Sequence, residues 1–380
     1  MHAEACGFRG VSIPEHHLLN ILLVPSPLQF AVAFAAPTTR LELATAICQL
    51  PIRDMRIFAG EVVQAQALCG GRLVLAVGKG AFGFETGRIG VSIEETRARF
   101  EESLAVLEAL LAREEVSWDG QWYRFDALTV MPRPEDPIPI ALAIMAPPGI
   151  EAAATAGYHI QTTPLSAGRG VLEGQVEAFH RGAAMCGRTG QRPSLQRGLF
   201  LAGSRAQADR MAALAFRYYE SFDNVFGGPG IVEHGIIRPL PRQQSMAEFR
   251  SYVLICGRDE MIDRLSGYAE LGIDEIIVSS NFGQEQSEVL DMMSRLASDV
   301  MPQVAPTARI AACGETEMPI IRIEMFEGRT PDQKRACAEA VTKAWCDTCG
   351  GTPQMVTVVF TDLARHDWAT AGRLASDPKD

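Results

Sequence analysis

Residues 72–83 read Arg-Leu-Val-Leu-Ala-Val-Gly-Lys-Gly-Ala-Phe-Gly. The first half is a near-continuous apolar run, without the alternation of a half-exposed strand. That pattern belongs to a strand buried on both faces of a parallel sheet. The second half is a Gly-rich turn leaving the strand's C-terminal end. Working outward, similar runs recur at Gly10–Ile13, Leu41–Leu50, Ile138–Ile144, Tyr158–Thr162, Gly198–Ala202 and Glu275–Val278. Helical patterns lie between them. Ser92-Ile93-Glu94-Glu95 predicts a capping box ahead of Phe100, Leu104, Leu107 and Leu111, which keep helical spacing. Ser204–Phe216 and Arg258–Leu271 are further amphipathic stretches. Strands alternating with helices predict an α/β domain, and with no evident reversal point a (β/α) barrel is favoured over an open sheet.

The chain has 380 residues, 47% of them hydrophobic, which suits one barrel-sized unit plus a smaller one and excludes wholesale disorder. A net charge of −11 argues against nucleic acid and anionic lipid as partners, leaving small molecules or proteins. Nine scattered cysteines do not form a disulfide framework and read as thiols in a reducing compartment. Ile21–Ala36 is apolar but holds Pro25, Pro27 and Gln29, and falls short of the ~20 residues a membrane span needs. Ala33–Ala36 faintly resembles a signal-peptide cleavage site, but no basic start precedes it. A cytoplasmic protein is the expectation.

Residues 303–317 have no clean period and read as a linker between a first unit, 1–302, and a second, 318–380. The second predicts a β-α-β unit: a strand at Pro319–Met325, a helix opened by Thr330-Pro331-Asp332-Gln333, and a strand at Met355–Thr361. Thr330 is a suitable N-cap, Pro331 fits the first helical position, and Gln333 can close the box.

Gly78-Lys79-Gly80-Ala81-Phe82-Gly83 matches the dinucleotide glycine pattern, yet the next helical pattern waits until about Ile93, and no acidic residue ends a strand at the right spacing. The same turn at a barrel strand's C-terminal end suits a phosphate, held by backbone amides and Lys79. Glu15-His16-His17 follows the Gly10–Ile13 run, on the face where barrel chemistry collects. The histidines could be structural. No ligand set at metal spacing accompanies them, so no metal is expected, whereas one His as acid/base suits working pH. Cys346-Asp347-Thr348-Cys349 looks like a redox pair but falls at a helix C-terminus, where the dipole raises thiol pKa values.

These segments, in order with Gly7–Val11, Pro25–Pro27, Leu43–Ala46, Leu50-Pro51, Arg97–Phe100, Glu270–Asp274 and Ser298–Pro302, resemble the bacterial luciferase-like flavin-dependent monooxygenases over about residues 3–302. The resemblance implies a TIM barrel, reduced FMN or a related deazaflavin, O2, and a small organic substrate, with a flavin reductase as a candidate partner. It places His16 as the catalytic histidine and His17 with the substrate. Gly78, Lys79 and Gly80 fall at the flavin phosphate, and Ala46 and Ile47 against the isoalloxazine ring. Ala146 and Gly149 stand where the family has a phosphate-binding hydroxyl, which Ala146 lacks; Pro147 and Pro148 also lack amides. Gln66 replaces an acidic residue. The chain begins inside what would be the family's first helix, so a (β/α)8 barrel lacking its first strand, with two open edges, is expected. A non-catalytic barrel is the alternative reading.

Pro319 to about Asp377 resembles the 4-oxalocrotonate tautomerases, carried by Pro319–Ile323, Glu327-Gly328-Arg329, Asp332–Lys334 and Thr361-Asp362. The resemblance implies a catalytic N-terminal proline at Pro319, substrate contacts from Arg329 and Trp368, and a trimeric or hexameric habit, hence a homo-oligomer. A second family arginine falls on Thr357. Met318 precedes Pro319, so that nitrogen is an amide and tautomerase chemistry would require cleavage before it.

Overall fold

The computed structural model describes residues 1–304 apart from 188, 189 and 274, together with 320–349, 353, 356–364, 366, 369–370 and 373–374. The chain divides into two compact units, Met1–Thr307 and Ala308–Asp380.

After one helical turn, α1 (His2–Ala5), the first unit alternates strand and helix: β1 (Gly10–Ile13), α2 (Pro27–Ala35), β2 (Glu42–Thr45), β3 (Cys48–Gln49), α3 (Met55–Leu68), β4 (Leu73–Gly78), α4 (Gly83–Arg88) and α5 (Thr96–Ala112). An antiparallel hairpin, β5 (Val116–Asp119) with β6 (Arg124–Leu128), interrupts the pattern. The alternation resumes with β7 (Ile140–Ala143), α6 (Pro147–Thr155), β8 (His159–Thr162), α7 (Arg169–Met185), β9 (Pro193–Leu201) and α8 (Arg205–Val225). A short hairpin, β10 (Val232–Glu233) with β11 (Ile236–Ile237), precedes α9 (Met246–Tyr252), β12 (Leu254–Cys256), α10 (Arg258–Glu270), β13 (Glu275–Ser279) and α11 (Gln286–Arg295).

The main sheet is parallel and runs β1-β2-β4-β7-β8-β9. Along its far edge β9 holds β13 beside Ser194–Gly198 and β12 beside Leu199–Leu201. This is the curled, TIM-barrel-type sheet that the apolar runs predict. All six residues of β4 are buried, as expected of a strand covered on both faces. Leu75, Leu107 and Phe58 share the larger core with β1–β8; Phe200, Met211 and Phe249 anchor a second around β9 and β12.

Among the described residues β1 pairs only with β2 and β13 only with β9, so two edges stand open. Their N-terminal ends are joined by charge instead. Arg9 Nε lies 3.7 Å from Glu42 and 3.6 Å from Glu275, at the feet of β2 and β13. Arg192, only 14% exposed, reaches the same two carboxylates, with Nε 3.4 Å from Glu275. Ser194 donates to Glu275 at 2.6 Å.

Four local readings change. The run Leu41–Leu50 is two strands, β2 and β3, parted at Ala46-Ile47, whose peptide is cis. Gly198–Ala202 is the tail of the longer β9. The capping box at Ser92 does not form: residues 92–95 close a turn, Glu95 N–H to Ser92 O at 3.1 Å, and α5 starts only at Thr96. A helix, α4, opens directly after the Gly-rich turn instead of waiting for Ile93. By contrast Ser204 and Ser245 do cap α8 and α9, the latter with Glu248 in a full capping box. Gln66, standing where an acid was expected, accepts the Leu73 N–H at 3.0 Å through its amide oxygen.

In the second unit β14 (Ile320–Phe326) and β15 (Thr357–Leu363) pair in parallel on either side in sequence of α12 (Pro331–Cys349). The predicted box at its start is present: Gln333 N–H donates to Thr330 Oγ1 at 3.3 Å, and Thr330 N–H to Gln333 Oε1 at 3.0 Å. Cys346 and Cys349 fall in the last turn of α12, as read. No described helix is long and apolar enough to cross a membrane.

Arg192→Ala would leave Glu42 and Glu275 facing each other with only the more exposed Arg9 between them. A loss of about 2 kcal/mol in urea unfolding is expected, below the ~3–5 kcal/mol for breaking a fully buried pair because these side chains remain partly exposed. Arg192→Lys should recover part of it.

Candidate active site

The C-terminal ends of β1, β2, β3 and β4 bring most of the sequence-predicted residues together. His16 leaves β1 through Pro14 and Glu15. Its ring stacks on Phe82 at 4.4 Å between centroids, nearly parallel. Its Nδ1 lies 3.3 Å from Glu85 Oε2. A carboxylate there can only accept, so Nδ1 carries the hydrogen and the lone pair sits on Nε2. Among the described residues Nε2 has no protein partner, which leaves it to the open side.

Glu85 is wholly buried on α4 and also accepts the His17 backbone N–H through its other oxygen. Glu15, also buried, serves the second imidazole: His17 Nε2 lies 2.5 Å from Glu15 Oε1. Arg53 Nη1 donates to the same oxygen at 2.6 Å, and the Gln49 N–H to the other at 2.9 Å. Two adjacent histidines thus have two separate carboxylates. Glu15 was visible beside them in the sequence but was given no role. Glu85 was missed, because the turn was read as helix-free for ten residues; its signal was an acid three residues after Phe82, on the inner side of a single helical turn.

Gly80 has φ of +79°, and a Cβ there would come within 2.4 Å of Gln49 Oε1. A Cβ at Gly78 would strike Ile47 Cδ1 at 2.3 Å, with Ala143 Cβ at 3.6 Å. Ile47, Gly78 and Ala143 therefore form a flat, apolar floor across β4 and β7. Lys79 stands at its rim. Partial burial and nearby Arg97 push its ammonium pKa down, and no described carboxylate lies within ion-pair distance of it. At the end of the adjacent β7, Ala146 is the N-cap of α6 without a side-chain cap bond. Pro147 and Pro148 have no N–H and Ile150 N–H returns to Ala146 O at 3.0 Å, so the first turn offers the Gly149 amide. These groups fit a flat ring system that carries a phosphate.

Arg329 lies exposed before α12 in the other unit. Pro319 and Trp368 lie outside the described residues.

Residues 1–275 match the luciferase-like monooxygenase family. The chain belongs to that family. Residues 319–377 match the tautomerase enzyme family. Within the luciferase-like family, the chain is 25% identical to the oxygenase component of a flavin-dependent trigonelline monooxygenase of Acinetobacter baylyi, over 79% of this chain and 86% of that one. It is also 25% identical to an F420-dependent glucose-6-phosphate dehydrogenase of Kineococcus radiotolerans, over 80% and 91%. The fold matches the oxygenating constituent of 3,6-diketocamphane monooxygenase of Pseudomonas putida, a type II Baeyer-Villiger monooxygenase solved with FMN, with a TM-score of 0.65 at 16% identity over 80% and 91% of the two chains.

In this luciferase-like barrel the hydrogen bond that His17 donates to Glu15 raises the His17 pKa above the ordinary 6.5, against the lowering effect of burial. The protonated pair therefore contributes its full stability below pH 6.5 and loses it as pH climbs through the raised value. An NMR titration should find the His17 ring still protonated above pH 6.5. Glu15→Gln should bring that midpoint down; an unchanged midpoint would break the assignment.

Proposed function

We propose that the first unit is a flavin-dependent monooxygenase that takes reduced FMN at the mouth of its sheet and oxygenates a small organic substrate with O2; a related deazaflavin in the same seat would pass a hydride without activating O2, and would make the unit a dehydrogenase instead. Bound there, the reduced flavin supplies the electrons and the site of oxygen activation. The chain supplies binding, orientation and proton handling. Lys79 and the Gly149 amide hold the phosphate, the charge of Lys79 being uncompensated until an anion arrives. Ile47, Gly78 and Ala143 give the ring its floor. His16 Nε2 takes or gives a proton toward the reacting atoms, while Glu85 keeps the tautomer and stabilises the imidazolium when Nε2 is loaded. Phe82 covers one face of His16, with Phe222 and Phe226 packed edge-on behind it, and so shields that face from water.

The observation that carries this reading is the His16 ring, fixed between a buried carboxylate and Phe82 with its basic nitrogen free. A separate reductase would deliver the reduced flavin. The free cysteines fit a reducing, cytoplasmic setting.

Anaerobic titration with reduced FMN should give a micromolar-range Kd, about −8 kcal/mol, and a parallel titration that finds reduced F420 bound in its place would replace oxygenation by hydride transfer. Lys79→Ala should weaken cofactor binding about ten-fold. His16→Ala should leave the affinity alone and cut turnover by about 10²–10⁴. Folded protein that binds neither cofactor ends the proposal.

For the second unit we propose assembly, not catalysis, since Pro319 follows Met318 in the chain and its nitrogen is an amide. Light scattering of the full chain should report a homo-oligomer. A monomer, or a mass showing cleavage before Pro319, would overturn this role.

A further inference from the structure

A cavity of about 690 Å³ in the first unit is lined by the middle of β9, the residues just past β8, the end of β13 and the C-terminal part of α8. Arg197, on β9, forms part of its wall and is only 7% exposed. Both of its bonds go to backbone carbonyls: Nη1 donates to Leu165 O at 3.3 Å, and Nη2 to Tyr252 O. Its Nε has no partner, and no described carboxylate lies within 4 Å of the group. A buried guanidinium without a counter-charge is costly unless something supplies one.

A second arginine shares the wall. Arg242 sits over the rings of Phe216, Tyr219 and Phe249, at 5.3–5.4 Å from each centroid. It donates to Gln244 and to the Tyr252 hydroxyl at 2.7 and 2.8 Å. Asp223 is its ion-pair partner at 3.0 Å, but off the hydrogen-bonding line, so Nε and Nη1 remain unpaired. Tyr219 and Tyr252 feel both guanidinium groups, which places the two arginines around one patch. The cavity wall holds two positive charges and one carboxylate, Asp223, which is itself half-exposed with its pKa raised by burial. One negative charge is missing.

One side of the wall is aromatic, with Tyr218, Tyr219, Phe222, Phe226 and Tyr252 among its lining residues. Gly198 is bare where Tyr219 comes down on β9; a Cβ there would stand 3.1 Å from the phenol oxygen. Tyr219 touches Phe222 at 5.8 Å, Phe222 touches Phe82 at 5.8 Å, and Phe82 is the ring on which His16 stacks. The anion pocket is therefore one row of rings away from the basic nitrogen of His16.

We propose that this cavity is the substrate pocket and that the substrate is a small aromatic ring bearing one carboxylate, held by Arg197 with Arg242 beside it. This rests on the monooxygenase reading, because it makes the ring the group presented toward His16. The carboxylate supplies the missing charge, and the flat ring lies along Tyr219 and Phe222.

The test uses the full chain, benzoate as probe, and benzamide as its uncharged isostere, by calorimetry and by thermal shift. Benzoate should bind wild type at least ten-fold more tightly than benzamide and raise Tm where benzamide does not. Arg197→Gln should weaken benzoate at least ten-fold and leave the Kd of reduced flavin unchanged, while Lys79→Ala should do the reverse. Equal binding of benzoate and benzamide by wild type overturns the proposal, whatever Arg197→Gln does to folding. So does loss of flavin affinity in Arg197→Gln, which would make this guanidinium the partner of the flavin phosphate. If flavin binds and benzoate does not, the pocket reading alone fails; if neither cofactor binds, the monooxygenase reading fails first.

Discussion

A curled parallel sheet with two unladdered edges has to be held shut by something other than backbone hydrogen bonds, and here it is held by four charges. Arg9 and Arg192 meet Glu42 and Glu275 at the N-terminal feet of the strands. Arg192 bridges the feet of β2 and β13, and Arg9 spans from the β1 side. Pinning the feet fixes the curl, and the curl in turn makes the C-terminal ends converge on one mouth. His16, Ile47, Gly78 and Arg197 come from strands far apart in sequence, and they face a common space only because the sheet bends. Because the pairs are partly desolvated, they are screened less by salt than surface ion pairs would be.

At the mouth the same logic is repeated on a smaller scale. Carboxylates buried as deeply as Glu15 and Glu85 need donors. The dipeptide His16-His17 provides them in both directions, and the demands separate the two rings. His17 is spent on structure: it is tied, with Arg53, to Glu15. His16 is oriented by Glu85 and left with its other nitrogen open. One imidazole is held through its Nε2 and the other through its Nδ1, which leaves only the His16 ring with an unpartnered Nε2 among the described residues.

Much of the fold was legible because a parallel barrel writes a simple signal. Strands buried on both faces are continuous apolar runs, and the runs around Leu75, Ala141 and Ile160 each became a strand within two or three residues of the reading. What escaped is what sequence encodes only through tertiary contact. Ser92 has the right spacing for a cap, but its residues closed a turn first and the helix started later. The reverse held at Gly83–Arg88, where two glycines argue against a helix in isolation and packing of Glu85 and Thr86 forms one. The site was legible to the extent that its residues stand together in the chain, as Glu15–His17 and Gly78–Gly80 do. Arg197 and Arg242 lie 45 positions apart in stretches with no motif, and only the fold makes them neighbours.

The distribution of charge across the mouth then constrains how reactants can lie in it. Lys79, just past β4, and Arg197, on β9, are both cations without a described carboxylate beside them. Their repulsion of like charge, and the desolvation each suffers, are relieved only when an anion reaches them. Under the proposed reading one anion would answer Lys79 and a second Arg197, and the ring contacts from Tyr219 through Phe222 and Phe82 lead from the second toward His16. Arg197 is held by a β-strand and Lys79 by a turn whose course Gly78 and Gly80 fix, so under the proposed reading both charges are placed before an anion arrives, and the stability withheld by leaving them unmatched would return as affinity.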